Sequence, residues 1–132
     1  MKCLDTSFLI DLLRGDAGAV KKASGLDEVG PNATTEINVF ELVYGIHRGK
    51  LTARRVRLAK AERLFSRLIT LPLNHEAALK AGEVLGVLAR EGKEVSVLDG
   101  LAASIALVHG CEAIVTRNVE HFKNMPIQIE TY

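Results

Sequence analysis

The chain has 132 residues, of which 48% are hydrophobic and 25% charged, and its formal net charge is +1. These values are typical of a globular protein that buries a substantial core, and the length leaves no room for a second domain. We therefore expect residues 1–132 to form one domain. A net charge so close to zero does not indicate the kind of partner, so the distribution of charge along the chain is more informative.

Two features bear on where the protein resides. The first 15 residues, MKCLDTSFLIDLLRG, are partly apolar, but Asp5 and Asp11 interrupt them, which argues against a signal peptide or a membrane span. Cys3 and Cys111 lie in apolar segments without the spacing of a metal site, so we expect reduced thiols that fill the core. We expect a cytoplasmic protein with no membrane association.

The pattern of apolar residues predicts strands that alternate with helices. In chain order we expect a strand over 2–5, a helix from Thr6 or Ser7 to Gly15, a strand over 29–34, a helix from Thr34 or Thr35 to Gly49, a helix over 52–67, an extended segment over 68–73, a helix over 75–91, a buried helix over 100–108, and strands over 112–116 and 127–129. This alternation indicates an α/β fold with a parallel sheet.

Three acidic residues occupy unusual positions in this pattern. Asp5 ends the first strand, Glu41 lies between Phe40 and Leu42 in a helix with apolar neighbours, and Asp99 opens the buried helix. Each follows a strand, and the carboxyl ends of parallel strands meet at one edge of the sheet, where ligands bind. We therefore expect the three carboxylates to converge.

Convergence of three carboxylates is unfavourable because like charges repel, and at least one of them would bind a proton near neutral pH. A divalent cation removes this cost, and Mg²⁺ or Mn²⁺ prefers carboxylate and water oxygens as ligands. An ion held by few protein ligands keeps waters, one of which can attack a phosphodiester. The sequence thus predicts a Mg²⁺ or Mn²⁺ site formed by Asp5, Glu41 and Asp99.

The sequence lacks the motifs of other kinds of phosphate-binding site. The chain has no GxxxxGK[ST] and no GxGxxG after the first strand, and Asp5-Thr6-Ser7 lacks the second Asp of phosphoaspartyl hydrolases. No Ser/His/Asp arrangement is indicated either. The four histidines lie at expected helix ends or in loops, where we expect capping or solvent contact: His47, His75, His109 and His121.

Four segments follow one another along nearly the whole chain: LDTSFLIDLL, TTEINVFELVYG, VSVLDGLAASIA and AIVTRNVEHF. In this order they resemble the motifs of PIN-domain proteins, and most of all those of VapC toxins from type II toxin–antitoxin pairs. The resemblance implies a three-layer α/β/α fold with a central parallel sheet of four to five strands. It also implies a metal-dependent endoribonuclease that cleaves single-stranded RNA regions, for example in transfer or ribosomal RNA, by metal-activated water and leaves 5′-phosphate and 3′-hydroxyl ends. A VapB-type antitoxin over the acidic groove and a homodimer are the implied partners.

The resemblance also assigns roles by position. Asp5, Glu41 and Asp99 match the metal-binding acids of the family. A further acid commonly follows the fourth strand, but Asn118 stands in its place here, which leaves the fourth ligand and the number of metals open. Asn118 can still offer a carbonyl oxygen or orient a water.

Neighbouring polar residues are expected to support this site. Thr116 can hydrogen-bond a site carboxylate or the phosphate, and Thr6 or Ser7 either fixes the Asp5 carboxylate or a water, or caps the helix. Glu120 either reaches the site or belongs to the surface, and its loop position favours the surface.

Eight of the 17 basic residues lie between Arg48 and Arg67. Such a patch supplies affinity for phosphates and offsets the repulsion between an acidic pocket and RNA. A solvated helix face, or a docking surface for an acidic antitoxin segment, is the alternative. With no Trp and two Tyr, a broad base-stacking platform is not expected. The candidates for RNA contact are Arg14, Arg48, Arg54, Arg55 and Arg117.

Two other functions are open at this point. One is a non-catalytic PIN-like module that binds RNA or a partner, for which Asn118 is the only support. The other is a structure-specific DNA nuclease, which would need a helical arch and an extension that the short chain lacks. Metal-dependent turnover separates the ribonuclease from the binding module.

Overall fold

The computed structural model describes residues 1–132 and contains one five-stranded sheet flanked by helices. The strands are β1 (Lys2–Leu4), β2 (Ala33–Thr35), β3 (Ile69–Leu71), β4 (Ala113–Val115) and β5 (Gln128–Glu130). The helices are α1 (Thr6–Leu13), α2 (Ala17–Val29), α3 (Glu36–Arg48), α4 (Arg54–Phe65), α5 (His75–Arg90), α6 (Val97–Val108) and α7 (Val119–Phe122), and a 3-10 turn spans Leu51–Ala53.

All neighbouring strands are parallel, in the order β3-β2-β1-β4-β5. The chain moves outward from the central β1 to β2 and β3, and then returns to place β4 on the other side of β1. Open α/β sheets bind ligands beyond the carboxyl ends of the strands at such a reversal. The predicted α/β class with a central parallel sheet is confirmed.

Successive residues of the central strands point to opposite faces of the sheet and build two separate cores. Cys3 and Ile114 pack in a core with residues of α5 and α6, whereas Leu4 and Val115 pack in a core with residues of α1, α3 and α4. The helices therefore cover both faces, which gives three layers. Cys111 joins the same core as Cys3, and both cysteines are buried and free, as expected.

Two helices, α2 and α7, were not predicted from the sequence. Val29, expected to start a strand, ends α2, and the strand that follows begins only at Ala33. Only Ala19 and Leu26 of α2 are buried, so the helix needs few apolar residues and its sequence shows only a weak helical period of hydrophobicity. The four-residue α7 was also not predicted, since a single turn is too short to show a helical period.

The buried helix α6 begins at Val97, so Asp99 lies within its first turn instead of preceding it. A close approach to α5 fixes this helix. A Cβ atom at Gly100 would lie 2.4 Å from Cδ2 of Leu85, so any larger residue would force the Leu85 side chain to move. No helix of the protein combines the length and the apolar character needed to cross a membrane.

Candidate metal centre

The structure brings together the three acids that the sequence indicated. One carboxylate oxygen from each of Asp5, Glu41 and Asp99 lies within 4.8 Å of the others. Asp5 directly follows β1, Glu41 lies in the helix that directly follows β2, and Asp99 lies in the first turn of α6. The site therefore forms beyond the carboxyl ends of the central strands.

The carboxylate of Asp5 is buried and held by three neighbouring side chains. Its Oδ2 accepts hydrogen bonds from Thr116 Oγ1 at 2.8 Å and from Ser7 Oγ at 3.0 Å, and its Oδ1 accepts one from Asn38 Nδ2 at 3.3 Å. Asp5 occupies the N-cap position of α1, but its side chain does not cap the helix. The protein itself therefore sets the orientation of this carboxylate.

Glu41 is held through Thr6, whose Oγ1 donates to Glu41 Oε1 at 2.9 Å. Thr6 Oγ1 in turn accepts a hydrogen bond from Asn38 Nδ2 at 3.0 Å. The buried Asn38 also forms the capping box of α3, because its Oδ1 accepts from Thr35 N at 3.2 Å and Thr35 Oγ1 accepts from Asn38 N at 3.2 Å. The cap of α3 and the acidic site thus share one buried amide.

Sequence reasoning missed Asn38 and the contact that His121 makes. His121 Nδ1 lies 3.3 Å from Asp99 Oδ2, although His121 was expected only to cap a helix or meet solvent. A sequence signal existed for Asn38, since Thr35-Glu36-Ile37-Asn38 has the spacing of a capping box. No comparable signal marks His121, which lies in the short α7.

The electrostatics of the site favour a bound cation. Burial raises the pKa of Glu41, and the charges of Asp5 and Asp99 raise it further against the hydrogen bond from Thr6. Burial also raises the pKa of Asp99, followed by the charge of Asp5, while His121 opposes both effects. Three carboxylates that converge on one point form the donor set that hard divalent cations bind. The residues present therefore fit such an ion.

The polar residues after β4 take different places. Asn118 occupies the N-cap position of α7, and its backbone N donates to Thr116 Oγ1 at 3.0 Å, but its side chain makes no hydrogen bond. Glu120 is exposed and pairs with Lys123 at 2.8 Å, in agreement with a surface role. Thr116 thus links the Asn118 backbone to the Asp5 carboxylate.

Two of the basic residues predicted to meet RNA lie near the acids. Arg14 lines a groove that also includes Glu41. Arg117 follows Thr116 directly, and its Nη1 pairs with Asp11 Oδ1 at 2.8 Å, while Asp11 Oδ2 accepts from Tyr132 Oη at 2.5 Å. Arg117 is therefore held on the surface beside α1.

The other three predicted RNA contacts lie at the end of α3 and at the start of α4. The guanidinium of Arg48 lies 5.6 Å from the ring centroid of Tyr44, and Arg54 Nη2 donates to His47 O at 2.9 Å. Arg55 is exposed and makes no ion pair. Arg48 and Arg54 thus contact other residues of the protein, whereas Arg55 is free. Contact of all three with RNA stays a prediction.

Comparison with known proteins identifies the family of this chain. The chain matches the PIN domain over residues 2–127. It belongs to the PIN-domain family. Among relatives of this PIN-domain chain, the tRNA(fMet)-specific endonuclease VapC of Shigella flexneri is 29% identical over 122 residues, which cover 92% of this chain and 89% of that protein. Ribonuclease VapC19 of Mycobacterium tuberculosis is 29% identical over 127 residues, covering 96% of this chain and 95% of that protein.

Solved structures share the PIN-domain fold of this chain. A DNA-bound VapBC from Salmonella typhimurium matches with a TM-score of 0.86 and 29% identity, covering 98% of this chain and 96% of that one. VapBC2 from Rickettsia felis, bound to a promoter DNA fragment, matches with a TM-score of 0.89 over 99% and 98% of the two chains, and its 22% identity supports the fold alone. The resemblance to PIN-domain and VapC proteins is confirmed, and the names of the relatives agree with the predicted ribonuclease function.

Proposed function

We propose that this PIN-domain protein is a metal-dependent endoribonuclease that hydrolyses phosphodiester bonds in single-stranded RNA, and that it is the toxin of a type II toxin–antitoxin pair. The observation that carries the proposal is the convergence of Asp5, Glu41 and Asp99, with one oxygen of each within 4.8 Å of the others. The relatives named as a tRNA(fMet)-specific endonuclease and as a ribonuclease support it. Transfer RNA is therefore the first substrate to test, and ribosomal RNA the second.

Asp5, Glu41 and Asp99 would hold the ion, which we propose to be Mg²⁺ or Mn²⁺. When bound, such an ion activates a water and stabilises the charge that grows on the phosphate oxygens. The side chain of Asn118, which has no partner within the protein, is proposed to orient the attacking water or the substrate. Hydroxyl groups of Thr6, Ser7 and Thr116 keep the carboxylates in place.

One cleft includes Glu41 and another includes Asp99. Glu41 lines a groove of about 410 Å³, and Asp99 lines a wider cleft of about 880 Å³ that also includes His121. An extended single strand can therefore lie across the carboxylates with nucleotides on both sides of the cleaved bond. A folded duplex is too wide to place its backbone this deep, because the acids are buried or half-buried.

The proposed partners follow from the same relatives. Solved VapBC complexes support a VapB-type antitoxin as the partner. We propose from the family resemblance that the antitoxin covers the acids and that the chain forms a homodimer. An RNA substrate and two buried, reduced cysteines support action in the cytoplasm.

Replacing Asp99 with Asn tests the proposed function. We expect Asp99→Asn to lower cleavage of labelled tRNA(fMet) or of an unstructured RNA on the order of 100-fold or more, because several kcal/mol of metal-dependent stabilisation are lost. Wild-type cleavage should require Mg²⁺ or Mn²⁺ and stop with a chelator. Glu28→Gln, which removes an exposed charge from α2, is the matched control and should cleave normally.

Two results would contradict the proposal. Retained cleavage by carefully purified Asp99→Asn would show that the acids are not the active site. Tight RNA binding by the wild type without any metal-dependent turnover would instead favour the non-catalytic binding module.

A further inference from the structure

A groove of about 410 Å³ extends from Glu41 between α1, α3 and α4. Its floor is apolar and consists of Ile10, Leu13, Leu42 and Ile46. The wall formed by α3 has no side chain at Gly45, where an added Cβ would meet no atom within 4 Å. The groove is therefore open along α3 and continuous with the acidic site.

Three basic side chains line this groove. Arg14 lies just after α1, and Arg57 and Lys60 lie one turn apart on α4. None of the three forms an ion pair with an acid of the chain. Glu41 is the only acid that lines the groove, and it belongs to the acidic site. The positive charge of the groove is thus left without a partner.

Other basic residues near α4 are placed differently. Arg63 lies on α4 but does not line the groove, and Arg67 pairs with Asp27 at 3.2 Å. Of the many basic residues in this segment of the sequence, only Arg57 and Lys60 line the groove. The sequence analysis did not single out either of them.

We propose that this groove is a nucleotide subsite that holds the RNA strand next to the cleaved bond, with Arg14, Arg57 and Lys60 on phosphates and a base against the apolar floor. The inference rests on the proposed nuclease function and deepens it. A nucleotide presents both features that the groove matches, an anionic phosphate and a flat apolar base, within a short length. Repulsion between RNA and the nearby acids is offset by these cations, which keeps the strand at the site.

A double substitution that removes two basic side chains of the groove tests whether they bind RNA phosphates. RNA binding is measured by the fluorescence anisotropy of a labelled single-stranded RNA, with Asp99→Asn present in every variant so that the RNA stays intact. We expect Arg57→Ala with Lys60→Ala to weaken binding about 10-fold or more, and to reduce the slope of log affinity against log salt by about 0.7 for each lost phosphate contact. Arg63→Ala with Arg67→Ala removes the same charge outside the groove and should change binding much less.

Filling the groove tests its shape without a change in charge. Gly45→Leu places a side chain into open space, and replacing a helical glycine should preserve or raise the thermal midpoint. We expect this variant to weaken RNA binding about 10-fold and, with Asp99 intact, to raise KM for RNA cleavage. A melting curve shows that the variant is folded.

The outcomes separate this inference from the proposed function. If the wild type cleaves RNA with metal but both groove variants bind RNA normally, the subsite is wrong and the nuclease stands. If the groove variants lose binding but the wild type never cleaves, the subsite stands and the nuclease is wrong. If Gly45→Leu prevents only neutralisation by a co-encoded antitoxin, with RNA binding unchanged, the groove is a protein-docking site and the proposal is wrong.

Discussion

At the scale of single residues, one buried amide connects two acids with a helix cap. Asn38 Nδ2 donates to Asp5 Oδ1 and to Thr6 Oγ1, and Thr6 donates to Glu41. Its Oδ1 accepts from Thr35, which caps α3. Polar groups that hold metal-binding carboxylates tune both their orientation and their affinity for the ion. Asn38 therefore serves stability and the acidic site together.

Asn38→Ala should affect both properties. We expect a loss of about 1–3 kcal/mol in the free energy of unfolding, because Asp5 loses a buried hydrogen bond and Thr6 loses a partly buried one. We also expect cleavage to need about 10- to 100-fold more Mn²⁺ for half-maximal rate. Urea unfolding and a Mn²⁺ titration of the cleavage rate measure these effects.

Asn32→Ala is the matched control for Asn38→Ala. Asn32 is also buried, but its Nδ2 makes only a 3.4 Å contact with Gly30 O, away from the acids. It should lower stability slightly and leave the Mn²⁺ requirement unchanged. The same Mn²⁺ requirement in Asn38→Ala and the wild type would refute the role given to Asn38.

At the scale of elements, the packing of α5 on α6 places the third acid. Gly100 follows Asp99 and faces Leu85, and a Cβ at Gly100 would lie 2.4–2.8 Å from three atoms of the Leu85 side chain. The absence of a side chain at Gly100 thus sets how closely the first turn of α6 approaches α5. Asp99 is positioned by this contact.

Gly100→Ala should therefore destabilise the protein by about 1–3 kcal/mol through overpacking, as measured by urea unfolding, and should reduce cleavage because Asp99 moves with its turn. Gly86→Ala on α5 is the control, because its Cβ meets nothing within 4 Å. That variant should gain about 0.5–1 kcal/mol from helix propensity. If Gly100→Ala costs as much stability in a Leu85→Ala background as in the wild type, crowding at this contact is not the cause.

At the scale of the whole molecule, an ion-pair cluster joins β5 to β1 and α2. Lys22 Nζ lies 2.8 Å from Glu130 Oε1, and Lys2 pairs with Glu130 Oε2. Hydrogen bonds from Lys2 and then Lys22 lower the pKa of Glu130. A depressed pKa in the folded state means that the pair stabilises the fold above the unfolded pKa and that this stability is lost as the pH falls through the folded value.

Glu130→Gln should therefore be less stable than the wild type at pH 7, by about 0.5–1 kcal/mol after screening by solvent. The difference should shrink as the pH falls below about 4, near the unfolded pKa of glutamate. Urea unfolding at a series of pH values measures it. Glu83→Gln removes an exposed pair with Lys80 at 4.0 Å and should show little difference at any pH. A constant deficit of Glu130→Gln down to acid pH would contradict the ion-pair explanation.

The sequence predicted the sheet and the three acids because both depend on local patterns. Short apolar strands followed by an acid or a helix identify the carboxyl edge of a parallel sheet, and this pattern placed Asp5 and Glu41 correctly. The expectation that Asp99 also follows a strand was wrong, because α6 comes after α5 with no strand between them, yet Asp99 does reach the predicted site. Contacts between residues of different helices, by contrast, leave no local pattern in the sequence. Arg57 and Lys60 could not be distinguished from other basic residues of α4 until the groove showed which side of the helix faces Gly45.

The same limit explains the errors in the fold. Most of α2 is exposed, so the apolar period that marks a helix is weak, and the prediction began a strand at Val29. His121 could not be connected with Asp99 because its helix has four residues and the contact joins distant parts of the chain. Tertiary contacts decide both cases, and a single sequence does not show them.

The strand order has a consequence for synthesis of the protein on the ribosome. β4 is made late, yet it lies beside β1, and Thr116 at its end holds the carboxylate of Asp5. A nascent chain that has completed α3 already contains Asp5 and Glu41 but neither Asp99 nor Thr116. Such an intermediate cannot assemble the acidic site. An enzyme that destroys RNA would thus stay harmless to the ribosome that makes it until nearly the last strand has been translated.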